Sequence, residues 1–248
     1  MLLADSFWDG PQPYVYAALL LCVYPFLHTL VEGHLKSSFL RQGTAARVQQ
    51  SIYNTLLRWE LVSPIQIPNI DLENLIREPL PTGFTLRRWK LEDATACLDI
   101  YRLNAPGRFP DEIEQDFESR LKTDDQSMLV VEFDGVVIAC GAQSQTESQA
   151  WLSYGLIHPE FQNQGIGRLL LLSRLARFDV PPTICVMIGA VEASIGYYER
   201  FGFKRFALWH SENGEGHPLA GAFLASEHPS KILEFLRLHG YSPIPILS

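Results

Sequence analysis

Apolar and polar positions change their period several times along the chain, and each change marks an element. "FTLRRWKL" (84–91) alternates with the two-residue period of a strand, while "EDATACLDIYRLN" (92–104) and "DEIEQDFESRL" (111–121) carry helical spacing. "SMLVVEFDGVVIACGAQS" (127–144) is two apolar runs joined by Asp134-Gly135, a dipeptide suited to a tight hairpin turn. A strand follows in "AWLSYGLI" (150–157), then a leucine-rich helix in "GIGRLLLLSRLARF" (165–178) and a buried strand in "TICVMIGA" (183–190). "ASIGYYERF" (193–201) is a helix closed by Gly202, and "FKRFALWH" (203–210) and "PLAGAFLA" (218–225) are strands. "SKILEFLRLHGY" (230–241) is a short amphipathic helix stopped at Gly240. A meander of strands followed by alternating strands and helices predicts a mixed α/β sheet.

The first third of the chain differs. Residues 14–31, "YVYAALLLCVYPFLHTLV", are apolar and carry no formal charge, and residues 45–62 have a helical pattern. Pro64, Pro68, Pro79 and Pro81 then punctuate residues 63–83, which read as a connector. The chain thus divides into a helical N-terminal extension with connector (1–81), an α/β domain (82–226) and a C-terminal helix and tail (227–248). The apolar run approaches the length that spans a bilayer. Asp5 and Asp9 before it and Lys36, Arg41 and Arg47 after it have the asymmetry of an anchor that leaves the domain inside. Pro25, His28 and three tyrosines favour a buried helix instead. The expectation is a cytoplasmic protein, with a single N-terminal membrane anchor at residues 14–31 as the alternative.

Charge and cysteine usage narrow the chemistry. A net charge of −8 argues against nucleic-acid binding, which needs basic patches, and suits a cationic acceptor. Cys22, Cys97, Cys140 and Cys185 are widely separated, with no C-x-x-C pair and no His/Cys cluster at metal spacing. Reduced thiols and no metal are expected.

Two glycines one residue apart stand directly before the leucine-rich helix. Each disfavours helix by roughly 0.5–1 kcal/mol relative to alanine, so bare backbone is wanted there for another reason. The first N–H groups of a helix lack intrahelical partners, and the macrodipole adds partial positive charge, so a phosphate can approach Gly165 and Gly167. Arg168 follows and can add a charged contact. The dinucleotide fingerprint needs a third glycine where this chain has leucine, and the Walker loop needs Gly-Lys-Ser/Thr. A pyrophosphate-binding turn of another type, or a tight strand–helix turn, remains.

Gln162, Gly165 and Gly167 fill the pattern Gln/Arg-x-x-Gly-x-Gly/Ala, preceded by His158-Pro159-Glu160, and downstream Tyr198 precedes Gly202-Phe203 by four residues. In these two stretches the chain resembles motifs A and B of the GNAT acetyltransferase superfamily, over residues 83–226. The resemblance implies a mixed, mostly antiparallel twisted sheet with a central splayed strand pair and flanking helices. It implies acetyl-CoA as cosubstrate, without metal, and a small-molecule or peptide primary amine as acceptor. Residues Gln162, Asn163, Gln164, Gly165, Ile166, Gly167 and Arg168 would hold the pyrophosphate, with Leu156 and Ile157 lending backbone groups to the pantetheine arm. Ser194 would face the cofactor, and Tyr198 would assist the departing thiolate. Two departures stand out. Val191 occupies a position that is often asparagine in the family, and the strand "WLSYGLI" carries no glutamate base. Asp111, Glu112 and Glu114 are candidate replacements, and with Asp116 they form an acidic run compatible with a cationic substrate. The alternative is a degenerate domain that binds acyl-CoA as a sensor or scaffold.

Overall fold

A computed structural model describes residues 67–106, 109, 111–123, 127–146, 149–180, 183–210, 215–242 and 244. The apolar run at residues 14–31, the helical pattern at 45–62, Pro64 and Cys22 lie outside the described residues. The chain divides into two compact units, residues 1–65 and 66–248, and the structure below is that of the second. Among the described residues no helix is long and apolar enough to cross a membrane.

The elements are α1 (Leu72–Ile76), β1 (Thr85–Arg88), α2 (Ala94–Asn104), α3 (Asp111–Leu121), β2 (Leu129–Phe133), β3 (Val136–Gln145), β4 (Gln149–Ile157), α4 (Ile166–Leu175), β5 (Thr183–Gly189), α5 (Glu192–Glu199), β6 (Lys204–His210), β7 (Gly216–Ala225) and α6 (His228–Leu238). Seven strands form one sheet in the order β1-β2-β3-β4-β5-β7-β6. Every neighbouring pair is antiparallel except β4 and β5. The β2–β3 hairpin turns at Asp134 and Gly135, whose φ angles of 49° and 78° are those a two-residue primed turn requires.

Alternating side chains of the sheet feed two cores. Leu129 and Val131 face the layer of α4 and α6, where Leu169, Leu170, Leu171, Leu172 and Leu175 are fully buried with Ile232 and Leu236. Val130 faces the other layer, with Cys97, Ile100 and Tyr101 of α2 and Phe117 of α3. α4 is apolar almost all round, as a helix covered on both sides must be.

The second compact unit includes the proline-punctuated segment before residue 82. Residues 68–70 pair beside β7: Phe223 N–H donates to the Pro68 carbonyl (2.8 Å), and Ile70 N–H donates to the Phe223 carbonyl (2.9 Å). Asn69 makes a parallel bridge with Phe223, on the stretch of β7 beyond its pairing with β6. Ile70, Leu75 and Leu80 are buried in the α4 core. Pro68, Pro79 and Pro81 interrupt regular structure in this segment without detaching it. At the other end Tyr241 is buried in the same core, and its hydroxyl donates to the Pro81 carbonyl.

Candidate active site

The site begins where two parallel strands part. β4 pairs with β5 only from Gln149↔Cys185 to Leu152↔Ile188, whereas its pairing with β3 continues to Ile157↔Ala139. The β5-facing edge of residues 153–157 is therefore released. The bend comes from a bulge in the β3–β4 ladder between Cys140 and Ala142, where Tyr154 takes φ 51°. A left-handed tyrosine is strained, and packing holds it: the ring stacks on Phe117 with centroids 4.5 Å apart, and its hydroxyl donates to Asp116.

A cleft of about 570 Å³ opens at the released edge and runs to the glycine loop. Leu156, Ile157, Gln162, Asn163, Gly165, Gly167, Arg168, Ser194 and Tyr198 all line it, so most of the residues singled out by sequence come together. Asn163 (φ 61°) and Gly165 (φ 82°) turn the chain into α4, of which Gly165 is the N-cap. The turn's first internal bonds run from Arg168 N–H (3.1 Å) and Leu169 N–H (3.0 Å) to the Gly165 carbonyl. The N–H groups of Ile166 and Gly167 precede them and have no acceptor within the helix.

Side chains of the loop are used to build it. Gln162 Nε2 donates to Asn104 Oδ1 (2.9 Å) and to the Ile157 carbonyl (3.1 Å), which also accepts from Asn104 Nδ2 (3.0 Å). Of the backbone groups expected to meet the pantetheine arm, the Ile157 carbonyl is thus already taken. Gln164 Nε2 donates to the Glu160 carbonyl (2.9 Å). Arg168 lines the cleft, but its guanidinium donates to the carbonyls of Leu75 (3.3 Å) and Pro79 (2.5 Å), tying α4 to the segment before β1.

Helix α5 forms the opposite wall. Val191 is its N-cap, in extended conformation and without a side-chain cap; Ser194 Oγ donates back to the Val191 carbonyl (3.1 Å). Tyr197 and Tyr198 pack edge to face, with centroids 5.0 Å apart, and reach different ends of the cleft. A methyl on Gly167 would lie 3.4 Å from Tyr197 Oη, at the loop; a methyl on Gly155 would lie 3.2 Å from Tyr198 Oη, on the released strand. Burial pushes the Tyr197 hydroxyl well above its ordinary value, and among the described residues that hydroxyl has no hydrogen-bond partner.

Within the acidic run at 111–116, Glu114 and Asp116 are engaged. Glu114 pairs with Arg102 at 2.8 Å, and Asp116 accepts from Tyr154. The side chains of Asp111 and Glu112 lie outside what is described. Among the described residues the carboxylate on the cleft wall is Glu78, from the segment before β1. Cys97 and Cys140 are buried free thiols, and Cys185 is half-buried. Among the described residues no group of three His, Cys, Asp or Glu side chains is placed to hold a metal ion.

Two functional candidates were not picked out from sequence. Asn104 is a buried polar residue on the apolar face of α2, four residues after Ile100, and its position on that stripe was the available signal. Arg174 interrupts the leucine run of α4 yet is only 2% exposed; among the described residues it has carbonyl partners and no carboxylate.

A mixed, mostly antiparallel sheet with a cleft at a splayed parallel strand pair is the class that these features define. The family model described as an acetyltransferase (GNAT) domain matches residues 124–205, which include the glycine loop, α4 and α5. The match covers about a third of the chain. Solved structures similar to it include the ribosomal-protein-S18-alanine N-acetyltransferase of Escherichia coli, at 22% identity and TM-score 0.45 over 57% of this chain and 94% of that one. An N-acetyltransferase of Staphylococcus aureus Mu50 is similar at 18% identity and TM-score 0.43, over 58% and 99%. Ard1 from Thermoplasma volcanium is similar at 14% identity and TM-score 0.43, over 58% and 98%. No curated protein matches the chain by sequence.

Proposed function

We propose that the domain moves the acetyl group of acetyl-CoA to a primary amine of a small molecule or peptide by direct attack. One observation carries the reading: the strand edge that β5 leaves unpaired at residues 153–157 leads into the glycine loop at the N-terminus of α4. An amide-rich arm pairs along such an edge as an added strand does, and a pyrophosphate suits first-turn N–H groups and the helix dipole. The residues present fit that ligand. Gly167 keeps the backbone bare on the cleft wall, and the buried Tyr197 hydroxyl beside it lacks a partner among the described residues.

Bound acetyl-CoA supplies an activated acyl group on a thiol leaving group. The chain's own part is positioning and charge. Released N–H groups on β4 are donors for the oxyanion of the tetrahedral intermediate. The Tyr198 hydroxyl, facing Gly155, is the proton donor to the departing sulfur. Nitrogen gains the bond to the acyl carbon that sulfur loses, and its surplus proton leaves through water.

The test is a broad amine panel of polyamines, amino acids, aminoglycoside-type compounds and peptide N-termini, read as release of free CoA. Amine-dependent release above the hydrolysis background supports the reading. Tight acetyl-CoA binding with no release for any amine instead supports an acyl-CoA-binding sensor or scaffold, a reading favoured by the missing carboxylate on β4 and the uncapped Val191.

A further inference from the structure

The leucine-rich helix carries a cation into the floor of the cleft. Arg174 lies about 13 Å along α4 from Gly165, at 1.5 Å per residue, and so beside the released strand rather than the glycine loop. Its guanidinium is housed by two glycines. A methyl on Gly141 would lie 3.1 Å from its Cζ and Nη1, and one on Gly155 would lie 3.1 Å from its Nη2. Nε donates to the Leu170 carbonyl (3.2 Å), and Nη1 to the carbonyls of Ala142 (3.4 Å) and Ser153 (3.3 Å), the β3–β4 pair next to the bulge. Carbonyl dipoles satisfy N–H groups but do not cancel a charge, and an uncompensated buried cation is costly. Among the described residues the nitrogen left for a ligand is Nη2, at Gly155, where the Tyr198 hydroxyl also reaches to within 3.2 Å of the same point.

We propose that Arg174 is the fixed positive charge that stabilises the thiolate of CoA as the acyl group leaves. The inference rests on the acyl-transfer reading given above. As the nitrogen–carbon bond forms, the carbon–sulfur bond breaks and its electron pair stays on sulfur. Tyr198 supplies a proton to that sulfur, and Arg174 supplies charge without giving up a proton. A single free nitrogen suits a single atom on which charge develops. A carboxylate on the acyl chain would call for the two-nitrogen fork, and Arg174 has committed one arm of that fork to Ala142 and Ser153. A fixed cation also lessens the need for a general base, because it makes the leaving group better rather than the amine stronger.

The readout is the binding of CoA compared with desulfo-CoA by the full-length protein, titrated across pH. A thiol held beside a cation ionises at lower pH than in water. CoA binding then tightens as pH rises from the bound thiol's value to the free value of about 8.5, and is level above it. Tyr197 on α5 and Cys140 on β3 also interact electrostatically with the guanidinium, and a change in their charge affects both ligands alike, so the ratio isolates the sulfur. The Tyr198 hydroxyl is kept in every variant, so comparison with Arg174→Met isolates the cation. The expected ratio rises at least tenfold over that window in the wild type. It stays level in Arg174→Met and is partly kept in Arg174→Lys. The ultraviolet absorbance of bound thiolate should follow the same order.

A level ratio in the wild type overturns the proposal and leaves Arg174 as a staple of the bulge, and that result needs no variant to fold. A carboxyl-terminated acyl-CoA bound tenfold tighter than acetyl-CoA, with the preference lost in Arg174→Met, overturns it in favour of acyl selection. Failure to bind CoA and desulfo-CoA alike defeats the acyl-transfer reading itself.

Discussion

Gly202 and Asn69 touch backbone to backbone across most of the domain's sequence: a methyl on Gly202 would lie 2.5 Å from the Asn69 carbonyl oxygen and 2.9 Å from Asp71 N. Gly202 also holds φ 86°. The glycine that closes α5 is thus the seat on which residues 69–71 dock, and Asp71 N–H donates to the neighbouring Phe201 carbonyl (3.0 Å). Gly202→Ala meets both left-handed strain and overlap with backbone that cannot rotate away. We expect a loss of about 2–5 kcal/mol, seen as a lowered denaturant midpoint. An unchanged midpoint would mean that the 69–71 segment is not seated there in solution.

The same contact sets where the domain starts. A chain beginning at residue 83 loses Ile70, Leu75 and Leu80, each buried and worth about 1.5–3 kcal/mol, against a total domain stability of roughly 5–15 kcal/mol. A chain of residues 66–248 should unfold cooperatively in circular dichroism, and one of residues 83–248 should not. Cooperative unfolding of the shorter chain at equal midpoint would return the segment to the status of a linker.

Periodicity and turn residues made most of the second unit legible. Asp134-Gly135 announced its hairpin because both residues accept positive φ, and the apolar runs announced strands because a covered sheet buries both faces. The glycine loop was legible for the same local reason. The docking of residues 68–80 was not, because it depends on a register between Asn69 and Phe223 that nothing local encodes. Arg174 was passed over because an arginine in a leucine run reads as the solvent side of a helix. Only the joint presence of Gly141 and Gly155 beneath it shows that room was made, and those positions lie on two other strands.

The loop glycines should separate. Gly165 has φ 82° and the Pro81 ring 3.3 Å from where its Cβ would be, so Gly165→Ala should cost about 1–2 kcal/mol of stability. Gly167 is helical, with ordinary contacts from 3.4 Å, and Gly167→Ala should leave stability equal or raised, since alanine favours helix by up to about 1 kcal/mol. Its methyl nevertheless enters the cleft wall, and acetyl-CoA affinity by calorimetry should fall roughly tenfold, or about 1.4 kcal/mol. Full affinity in Gly167→Ala would move the pyrophosphate away from this turn.

Asp93 gives a pH signature. Burial raises its carboxyl, but hydrogen bonds from Arg87 (2.7 and 2.8 Å) and from Lys90 N–H (2.8 Å) outweigh this and hold it below the ordinary carboxylate range. A depressed carboxyl stabilises the fold above its unfolded value of about 3.9 and loses that contribution as pH falls through the folded value. Asp93→Asn should therefore cost about 1–3 kcal/mol at neutral pH, with the gap to wild type closing below about pH 4. A gap that is constant with pH would mean that shape rather than charge matters at this corner.

The missing cap on α5 is open to repair. Val191 has the extended φ −87°, ψ 153° of an N-cap but no side-chain acceptor. Val191→Asn should satisfy a first-turn N–H and raise stability by about 1 kcal/mol, measured by thermal unfolding. No rise in midpoint would indicate that those N–H groups already have a partner.

The two adjacent tyrosines should fail in opposite ways. Tyr198 Oη faces Gly155 and the end of the cleft where the strands part, whereas Tyr197 Oη faces Gly167 and the loop. Tyr198→Phe removes the proposed proton donor from that end of the cleft while keeping the ring against Phe203, whose centroid is 5.7 Å away. Turnover should fall by about 10²-fold, the lower end for general acid catalysis because a thiolate leaves readily, with acetyl-CoA affinity nearly unchanged. Tyr197→Phe removes a buried hydroxyl that has no partner among the described residues, so the fold should lose nothing and can gain. If that hydroxyl bonds the cofactor's phosphates, acetyl-CoA affinity falls several-fold while single-turnover rates at saturation hold. Single-turnover rates and calorimetric affinities on the three proteins separate the two roles. A rate loss in Tyr197→Phe with Tyr198→Phe equal to wild type would exchange their assignments, and no rate loss in either would make both tyrosines packing.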